Sequence, residues 1–419
     1  MTITDGTELL SPSYYGANGA PHDLWTRLRR ESPVHWCESE EFQPFWAITR
    51  HADICDISKR PDDFSNAADG IVVYSHEQRR MREADGSFSQ MRTIIDMDPP
   101  EHRDFRKVAS HWFTPRALAR IDEVIDRSAR EVVDRLESTN AEGECDFARD
   151  IATAHPLRVL STVLGVPREQ EPDILRLTNE LFGAEDPELQ REGTSRQQAT
   201  AATGLELFQL FNSIIEDRRA NPKDDLATVL AKAEIDGKPM GPMETFGYYL
   251  IVFTAGHDTT KNALAGGLRA LVEHPEEFEK LRRDPSLIPK AVEEIIRWTS
   301  PVNYMKRTIQ RDVEIRGQQL KAGEHLALFY ASANRDEDVF ENPFEFHVDR
   351  IPNRHLGFGI GEHFCLGANF ARRSQMAILR ELASRLEWVE LAGEPAQIQS
   401  SFVVGLKSLP VRYRLRSAA

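Results

Sequence analysis

A short segment near the C-terminus, Phe358-Gly-Ile-Gly-Glu-His-Phe-Cys-Leu-Gly367, constrains the fold more than any other stretch of the chain. Its three glycines allow tight turns and the close approach of a flat ligand, and they let backbone N–H groups face the sulfur atom. The residues that follow predict a helix over about Leu366–Arg385, whose positive dipole end would lie near Cys365 and favour the thiolate. The segment therefore predicts a cysteine held in a turn at the start of a helix.

A cysteine in this setting has two interpretations. A thiolate among backbone N–H groups can act as an axial haem ligand, pushing electron density into the iron and favouring O–O cleavage. A lone cysteine is otherwise more often a small buried apolar residue. The rest of the chain has to decide between them.

Length and charge narrow the class of protein. The 419 residues allow two or three domains, but no long linker interrupts the apolar residues, which favours one large domain able to enclose a cofactor. The formal charge of −15 argues against a nucleic-acid binder. Four scattered cysteines without a C-x-x-C pair favour a reducing cytoplasm. The N-terminus lacks a secretory pattern and the most apolar run, 246–256, is too short to span a bilayer, so we expect a soluble cytoplasmic protein.

Most of the chain has helical patterns. A short helix is predicted near His22–Arg30 and a strand at Phe45–Thr49. Residues 115–234 are predicted to be helical throughout, with breaks at glycine and proline positions, and the alternation over Tyr304–Ala331 predicts strands. Residues 66–92 are predicted to form an irregular loop and residues 182–198 a flexible cover over a pocket, where contacts to a small ligand would concentrate.

A long helix predicted over Pro242–Glu273 carries the second chemical pattern, Thr254-Ala-Gly-His-Asp-Thr-Thr260. Helical spacing places Val252, Ala255, Gly256 and Thr259 on one face, where small side chains let a flat or bulky group approach. A hydroxyl at Thr259 could hold water near bound oxygen while Asp258 relays protons from outside. The alternative is a bent helix whose threonine bonds back to the preceding turn.

Two charged pairs lie on other predicted helices. His102 and Arg106 are four residues apart, so they share a helix face and could jointly hold an anionic group or simply face solvent. Glu294 and Arg297 are three residues apart and would ordinarily form an exposed pair of small energetic value.

Together these patterns resemble the cytochrome P450 family over essentially the whole chain. Phe358, Gly361, Cys365 and Gly367 match its haem-binding signature, and Ala255–Thr260 matches the signature of its oxygen-activating helix. The resemblance implies one cytochrome P450 domain over 1–419, mainly α with small β-sheets, in which about 1–65 and 300–350 supply the β-rich part. Segments such as 143–147 and 353–359 resemble the bacterial alpha-terpineol hydroxylase-like members.

The resemblance also implies individual roles. Haem b, iron protoporphyrin IX, would be bound through the Cys365 thiolate, with Asp258 and Thr259 as catalytic residues. Contacts to the haem propionates are expected from His102, Arg106, Arg307 and His363. Further cofactor contacts are expected at Ala255, Gly256, Phe358, Gly359 and Gly367. Glu294, Arg297 and Arg350 would form a buried structural network.

The implied activity is that of a monooxygenase, which inserts one atom of O2 into a C–H bond. Because the sequence shows no fused reductase, electrons from NAD(P)H would arrive through a ferredoxin and its reductase. Such donors are usually acidic, so Arg372 and Arg373 are candidates for a basic docking patch on the cysteine side. We expect a monomer with no nucleic-acid or membrane partner.

Apolar and aromatic residues suggest the class of substrate. Candidate pocket walls are Val252, Ala255, Val302, Tyr304, Met305, Phe402 and Val403. They favour a small hydrophobic substrate such as a monoterpenoid or an alkyl-aromatic hydrocarbon. Three alternatives stay open: a haem-thiolate enzyme that uses hydrogen peroxide, a steroid or fatty-acid hydroxylase, and a haem-thiolate sensor without turnover. The Asp258–Thr259 pair favours the O2 route over peroxide.

Overall fold

The structure is a computed structural model that describes residues 3–85, 92–137, 142–183, 185–191, 193 and 196–416. The predicted loop at 66–92 and the predicted cover at 182–198 are therefore described only in part. Their remaining positions, 86–91, 184, 192, 194 and 195, lie outside the described residues.

Helices dominate the described chain. The α-helices are α1 (Thr7–Leu10), α2 (Pro12–Asn18), α3 (His22–Glu31), α4 (His51–Ser58), α5 (His76–Asp85), α6 (Glu101–Ser110), α7 (Pro115–Leu118), α8 (Asp122–Glu137), α9 (Ala154–Val163), α10 (Glu171–Phe182), α11 (Arg196–Ala220), α12 (Leu226–Ala231), α13 (Pro242–Glu273), α14 (Pro275–Arg283), α15 (Ile288–Thr299), α16 (Tyr330–Ala333) and α17 (Ala368–Arg385). A π-helix at Ala148–Ala152 precedes α9. Within these ranges, each helix is too short or too polar to cross a bilayer.

The strands form small sheets. They are β1 (Val34–Cys37), β2 (Phe45–Ile48), β3 (Phe64–Ser65), β4 (Glu142–Asp146), β5 (Glu234–Ile235), β6 (Lys238–Pro239), β7 (Tyr304–Ile309), β8 (Val313–Ile315), β9 (Gln318–Leu320), β10 (His325–Phe329), β11 (Leu386–Leu391), β12 (Ala396–Gln397), β13 (Leu406–Ser408) and β14 (Pro410–Leu415). The largest sheet has the order β1-β2-β10-β7-β3, in which only the β2–β10 pair is parallel. A second sheet has the order β11-β14-β4, and β12 pairs with β13 in a hairpin.

The long helix α13 has the bounds that its sequence predicts, because both ends carry strong local signals. Pro242 occupies the first turn, where its missing N–H leaves no bond unmade, and Glu244 complements the positive end of the helix dipole. Pro275 restricts the preceding residue and ends the helix at Glu273. The helix after the cysteine begins at Ala368, two residues later than predicted.

Among the described residues of 115–234, the predicted break at Gly143 is a strand. Residues 142–146 form β4, which pairs along its whole length with β14. The partner strand lies more than 260 residues further along the chain, so no local pattern predicts this pairing.

A large helical core surrounds α13, whose buried residues pack against α9, α11, α15 and α17. Separate apolar clusters lie around the five-stranded sheet. As a result, α13 and the turn before α17 are both held against rigid elements, and the segment between them includes β7 and β10, two inner strands of that sheet.

Candidate active site

The turn that carries Cys365 is fixed by its backbone. The Cys365 N–H donates to the Phe358 carbonyl at 2.9 Å, which closes the segment into a loop. Gly359 and Gly361 have φ angles of 66° and 79°, a region that L-residues rarely adopt. A Cβ at Gly361 would lie 2.3 Å from the Ser58 carbonyl oxygen, so a side chain is excluded there. Gly367 has an ordinary φ of −84°, and its N–H lies toward the sulfur atom.

The environment of the Cys365 sulfur differs from the expectation. Burial raises the pKa of the thiol, and this effect outweighs the Gly367 N–H and the charges of Arg106 and Arg372, which lower it. The prediction that the turn and the helix dipole alone favour the thiolate is therefore wrong for the polypeptide by itself. A bound metal ion would deprotonate the thiol outright, whatever its ordinary pKa.

One face of α13 retains accessible surface along its middle. Val252, Ala255, Gly256 and Thr259 are half-buried or exposed, whereas their neighbours Phe253, Thr254 and His257 are buried. The predicted face is thus the accessible one. Gly256, on this face, allows the close approach of α9, because a Cβ at this position would lie 3.1 Å from the Leu160 side chain.

The Thr259 hydroxyl donates to the Ala255 carbonyl oxygen at 2.6 Å, which is the back-bonded arrangement considered from the sequence. This bond uses the hydroxyl proton as donor and leaves the lone pairs of the oxygen available to accept a hydrogen bond from water. Thr259 can therefore orient water on the accessible face of α13.

Asp258 lies on a different side of the helix and is buried. Its carboxylate oxygens are 3.6 Å from His257 Nδ1 and 3.6 Å from Lys261 Nζ. Burial raises the pKa of Asp258, but His257 and Lys261 together bring the pKa below its ordinary value, so the carboxyl group is ionised. A cavity of about 10 Å³, the size of one water molecule, touches Asp258, Lys261 and Asn262.

The side chains predicted to hold the haem propionates form a cluster. The rings of His102 and His363 lie 4.2 Å apart, centroid to centroid. Burial, together with the nearby charges of Arg307, His102 and Arg106, lowers the pKa of His363 to about 2. His102 Nδ1 and His363 Nε2 are buried without a hydrogen-bond partner. These four side chains therefore bring cationic and neutral hydrogen-bond donors together, and a group with two negative charges could accept from them.

Arg372 and Arg373 do not form the open basic patch that was predicted. Arg372 binds both carboxylate oxygens of Glu293, at 2.6 and 2.8 Å, and its guanidinium lies 4.5 Å from the Phe358 ring centroid. Arg373 pairs with Asp122 and donates to the Pro115 carbonyl. Both guanidinium groups are partly buried and internally paired, so they stabilise the turn and α17 rather than face solvent.

Glu294, Arg297 and Arg350 meet in one buried network behind the cysteine turn. Two nitrogens of Arg297 donate to Glu294 at 2.7 Å each, and Arg350 Nε donates to the same carboxylate at 3.1 Å. Backbone carbonyls of three further residues accept the remaining protons of Arg297. Because one carboxylate binds both guanidinium groups and backbone carbonyls accept the other Arg297 protons, the network can hold α15 against the segment that leads to Phe358.

The predicted pocket walls separate into two groups. Val252, Ala255, Val302, Met305 and Phe402 keep accessible surface. Tyr304 and Val403 are buried, and Val403 lines the water-sized cavity beside Asp258. Tyr304 alternates with Met305 across β7, so its ring packs on Phe329 while its hydroxyl accepts from the Val73 N–H at 3.3 Å.

Sequence reasoning missed two ionic contacts in the segments predicted to form a loop at 66–92 and a cover at 182–198. Lys306, on β7 beside Arg307, is buried and donates to Asp69 at 2.6 Å. Asp186, in the cover, is fully buried and lies 3.2 Å from Lys407 Nζ in the β12–β13 hairpin. Both pairs join residues more than 200 positions apart, so no spacing in the sequence reveals them.

Comparisons with known proteins agree with this site. The family model "Cytochrome P450" matches residues 69–415. "Cytochrome P450-terp" from a Pseudomonas species is 38% identical over 413 residues, covering 97% of this chain and 96% of that protein. The methyl-branched lipid omega-hydroxylase of Mycobacterium tuberculosis is 35% identical, covering 97% and 95%. The crystal structure of CYP108D1 from Novosphingobium aromaticivorans matches with a TM-score of 0.90 at 37% identity, covering 98% of each chain.

The fold and the site define a haem-thiolate protein, and the chain belongs to the cytochrome P450 family. It is a monooxygenase of that family, and the predicted mainly helical fold with small sheets is confirmed. Other relatives include the linalool 8-monooxygenase of Pseudomonas putida, at 33% identity over 96% of this chain and 98% of that protein. A steroid C26-monooxygenase of Mycolicibacterium smegmatis is 32% identical over 94% and 90%.

The residues present fit the haem that this family implies. Cys365 has accessible surface, although the surrounding protein raises the pKa of its thiol. The accessible face of α13 and the cluster around His102 and His363 supply a flat wall and unpaired donors. Haem bound here would supply iron with a thiolate ligand and the capacity to activate O2.

Proposed function

We propose that this monooxygenase hydroxylates a small apolar substrate of monoterpenoid or alkyl-aromatic type, with haem held by Cys365. The observation that carries the proposal is the composition of the accessible walls. Val252, Ala255, Val302, Met305 and Phe402 offer apolar surface and no charge. Such walls bind a ligand by burial of apolar area and leave its orientation to shape. The similarity to Cytochrome P450-terp and to linalool 8-monooxygenase supports a terpenoid of this size.

Optical titration of the purified ferric protein tests the substrate class. A panel of monocyclic and acyclic terpenes, alkylbenzenes, steroids and fatty acids is added while the low-spin to high-spin shift is followed. We expect terpenes or alkylbenzenes to give the shift at the lowest concentrations. A shift with steroids or fatty acids alone would overturn the substrate class and favour the activity of the lipid and steroid hydroxylase relatives.

Within the site, the proposal assigns distinct tasks to the chain's own residues. His102, Arg106, Arg307 and His363 would bind the propionates, which would accept from the unpartnered ring nitrogens of the two histidines. Thr259 would orient water on the accessible face of α13, and the ionised Asp258 would pass protons inward from the water-sized cavity at Lys261 and Asn262. The lone pairs on the Thr259 hydroxyl and the water-sized cavity beside Asp258 support this division of labour.

Replacement of the hydroxyl tests the relay. In Thr259→Ala, NADH consumption should continue while a larger share of it ends as hydrogen peroxide, because protons no longer reach bound oxygen in an ordered way. Thr260→Ala is the matched control, since Thr260 is its buried neighbour on α13. Unchanged coupling of NADH to product in Thr259→Ala would reject the relay. Full activity with peroxide alone would favour the peroxide-using alternative instead.

We also propose that electrons come from a ferredoxin that docks beside Cys365. Since Arg372 and Arg373 are paired internally, the candidate residues for the docking site are cations on α6 and α7. Lys107 is 76% exposed, with Asp104 of the same helix 2.8 Å from its Nζ, and Arg116 is exposed. The large apolar side chain of Phe364, next to Cys365 in the chain, is also exposed. Exposed cations together with an apolar side chain suit an acidic partner.

Charge reversal tests the docking site. Lys107→Glu/Arg116→Glu should slow reduction by an acidic ferredoxin and weaken the salt dependence of the rate. Arg283→Glu, at an exposed position of α14, is the control. A rate and salt dependence equal to those of the wild type would reject this surface.

A further inference from the structure

A second cavity lies on the outside of the helical core and shares no residue with the site around Cys365. Its volume is about 350 Å³, within the range of about 300–1,000 Å³ that small-molecule sites occupy. It opens between the end of α8, the π-helix, α9 and the start of α10. The lining residues are Arg135, Arg149, Thr153, Ala154, Leu157, Arg158, Arg168, Glu171, Pro172 and Leu175, and we call it the arginine cavity.

The charge of the lining is unusual for this protein. Four arginines and one carboxylate face the arginine cavity, while the whole chain carries a formal charge of −15. Arg149 is 63% exposed, lies 3.5 Å from Asp146, and donates to the Lys407 carbonyl at 3.3 Å. Arg135 and Arg168 are exposed at the rim. An anion entering the arginine cavity therefore meets guanidinium groups from four separate helical elements.

One of these arginines is fixed in place. Arg158 pairs with Glu171 at 2.6 Å, and their side chains are 20% and 11% exposed. Burial raises the pKa of Glu171 although Arg158, Arg168 and Arg135 each lower it, which places three guanidinium groups close to one desolvated carboxyl group. A guanidinium held by such a partner still has N–H groups to offer, and it needs little reordering to bind a second carboxylate.

The rest of the lining is apolar. Ala154 and Leu157 of α9 and Pro172 and Leu175 of α10 supply aliphatic surface to the same cavity. A site lined by both guanidinium groups and aliphatic side chains matches an amphiphile rather than a bare inorganic ion.

We propose that the arginine cavity binds an organic monoanion with a carboxylate head and a short aliphatic tail. The carboxylate lies among Arg135, Arg158 and Arg168, where charge-assisted hydrogen bonds hold it. The tail covers Leu157 and Leu175. α9 separates this ligand from the site on α13, since Leu160 of the same helix packs on Gly256.

Octanoate is the probe. Octanol, which has an aliphatic tail but no charge, and acetate, which has the charge but no such tail, are the controls. Hydrogen exchange on the haem-loaded, full-length protein locates the ligand, because octanoate bound here protects peptides from 149–175. Equilibrium dialysis measures the dissociation constant, and the optical spectrum reports any octanoate in the haem pocket separately. We expect octanol and acetate to bind at least about ten-fold more weakly than octanoate.

The variant Arg135→Gln/Arg168→Gln should weaken octanoate binding by about ten-fold or more and abolish the protection at 149–175. Arg116→Gln/Arg283→Gln removes the same charge from exposed positions outside the cavity and should bind as the wild type does. The proposal is overturned if protection at 149–175 is absent or if both double variants bind equally. It is also overturned if acetate or octanol binds as tightly as octanoate.

Discussion

Two carboxylates of this cytochrome P450, Glu294 behind the cysteine turn and Asp186 in the cover, are equally hidden from solvent, each with no exposed surface. Their partners differ. Glu294 accepts from two arginines that are 0% and 7% exposed, from the His347 N–H and from the Asn353 side-chain amide. Asp186 accepts from backbone N–H groups and from Lys407, a flexible lysine that it shares with the exposed Glu188.

The difference teaches that burial of a charge does not by itself make a region rigid. Planar guanidinium groups hold Glu294 from fixed directions, so its network cannot loosen without leaving buried charges unpaired. A lysine ammonium binds as a point charge on a flexible stem and can exchange one carboxylate for another or for water. The first arrangement suits a support for haem, and the second suits a cover that releases.

The largest effect is expected at the support. Glu294→Gln leaves Arg297 and Arg350 without their counter-charge, so the free energy of unfolding should fall by about 3–5 kcal/mol. Denaturant titration of the haem-loaded protein, followed by far-UV circular dichroism, measures it. A loss below about 1 kcal/mol would mean that the network is not needed for stability, and it would remove the contrast with the cover.

Protonation provides a second way to probe a buried polar contact. His155 is fully buried between Ser128 and Ser374, and burial lowers its pKa from 6.5 to about 4. The unfolded chain takes up this proton first as pH falls, so the contribution of His155 to stability is complete above about pH 6.5. It is lost below that pH at up to about 1.4 kcal/mol per unit until about pH 4.

His155→Gln should flatten the decline in unfolding free energy between pH 6.5 and 4, whatever its effect at neutral pH. His76→Gln, at an exposed position, should keep the wild-type slope. Equal slopes in all three proteins would show that His155 is not held neutral by burial.

At the cover, a smaller effect on stability and a visible effect on ligand exchange are expected. Asp186→Asn removes the charge that holds Lys407, so substrate should dissociate about ten-fold faster, equivalent to about 1.4 kcal/mol. Stopped-flow measurement of the spin-state shift reports the rate. Glu188→Gln is the matched control, because it removes the exposed carboxylate from the same lysine and should change the rate less. An Asp186→Asn rate equal to that of the wild type would mean that this pair does not hold the cover closed.

The smallest effect is expected at an exposed pair. Arg27 and Glu31 are 52% and 55% exposed and lie 3.4 Å apart on α3. Glu31→Gln should change the free energy of unfolding by less than about 0.5 kcal/mol. A loss comparable to that of Glu294→Gln would show that the denaturation assay does not distinguish buried from exposed charges.

Local patterns in the sequence predict the cysteine turn, the bounds of α13 and its accessible face. Each of these depends on residues within a few turns of one another, such as Gly359 beside Cys365 or Ala255 beside Thr259. The predicted association of Glu294 with Arg297 and Arg350 came from the family resemblance, because three-residue spacing alone predicts an exposed pair. Burial of that pair depends on the segment around Arg350, which returns from more than 50 residues away.

Other parts of the site depend on contacts that the sequence does not display. Tyr304 faces the core because β7 pairs with β10, which sets the side of the sheet on which each residue lies. Arg372 is internally paired because α15 brings Glu293 beside it. The contact of Asp186 with Lys407 joins a loop to a distant hairpin. Lys261 was within reach of sequence reasoning, since it follows Asp258 by three helical positions.

The central claim, that Cys365 is the ligand around which the site is built, is tested most directly by the absorption spectrum of the ferrous carbon monoxide complex. The haem-loaded wild type and Cys145→Ser should show the red-shifted Soret band of a thiolate-ligated haem. Cys365→Ser should lose that band and show the shorter-wavelength band of a haem without thiolate. A red-shifted band that persists in Cys365→Ser would contradict the account, because another thiol would then hold the iron.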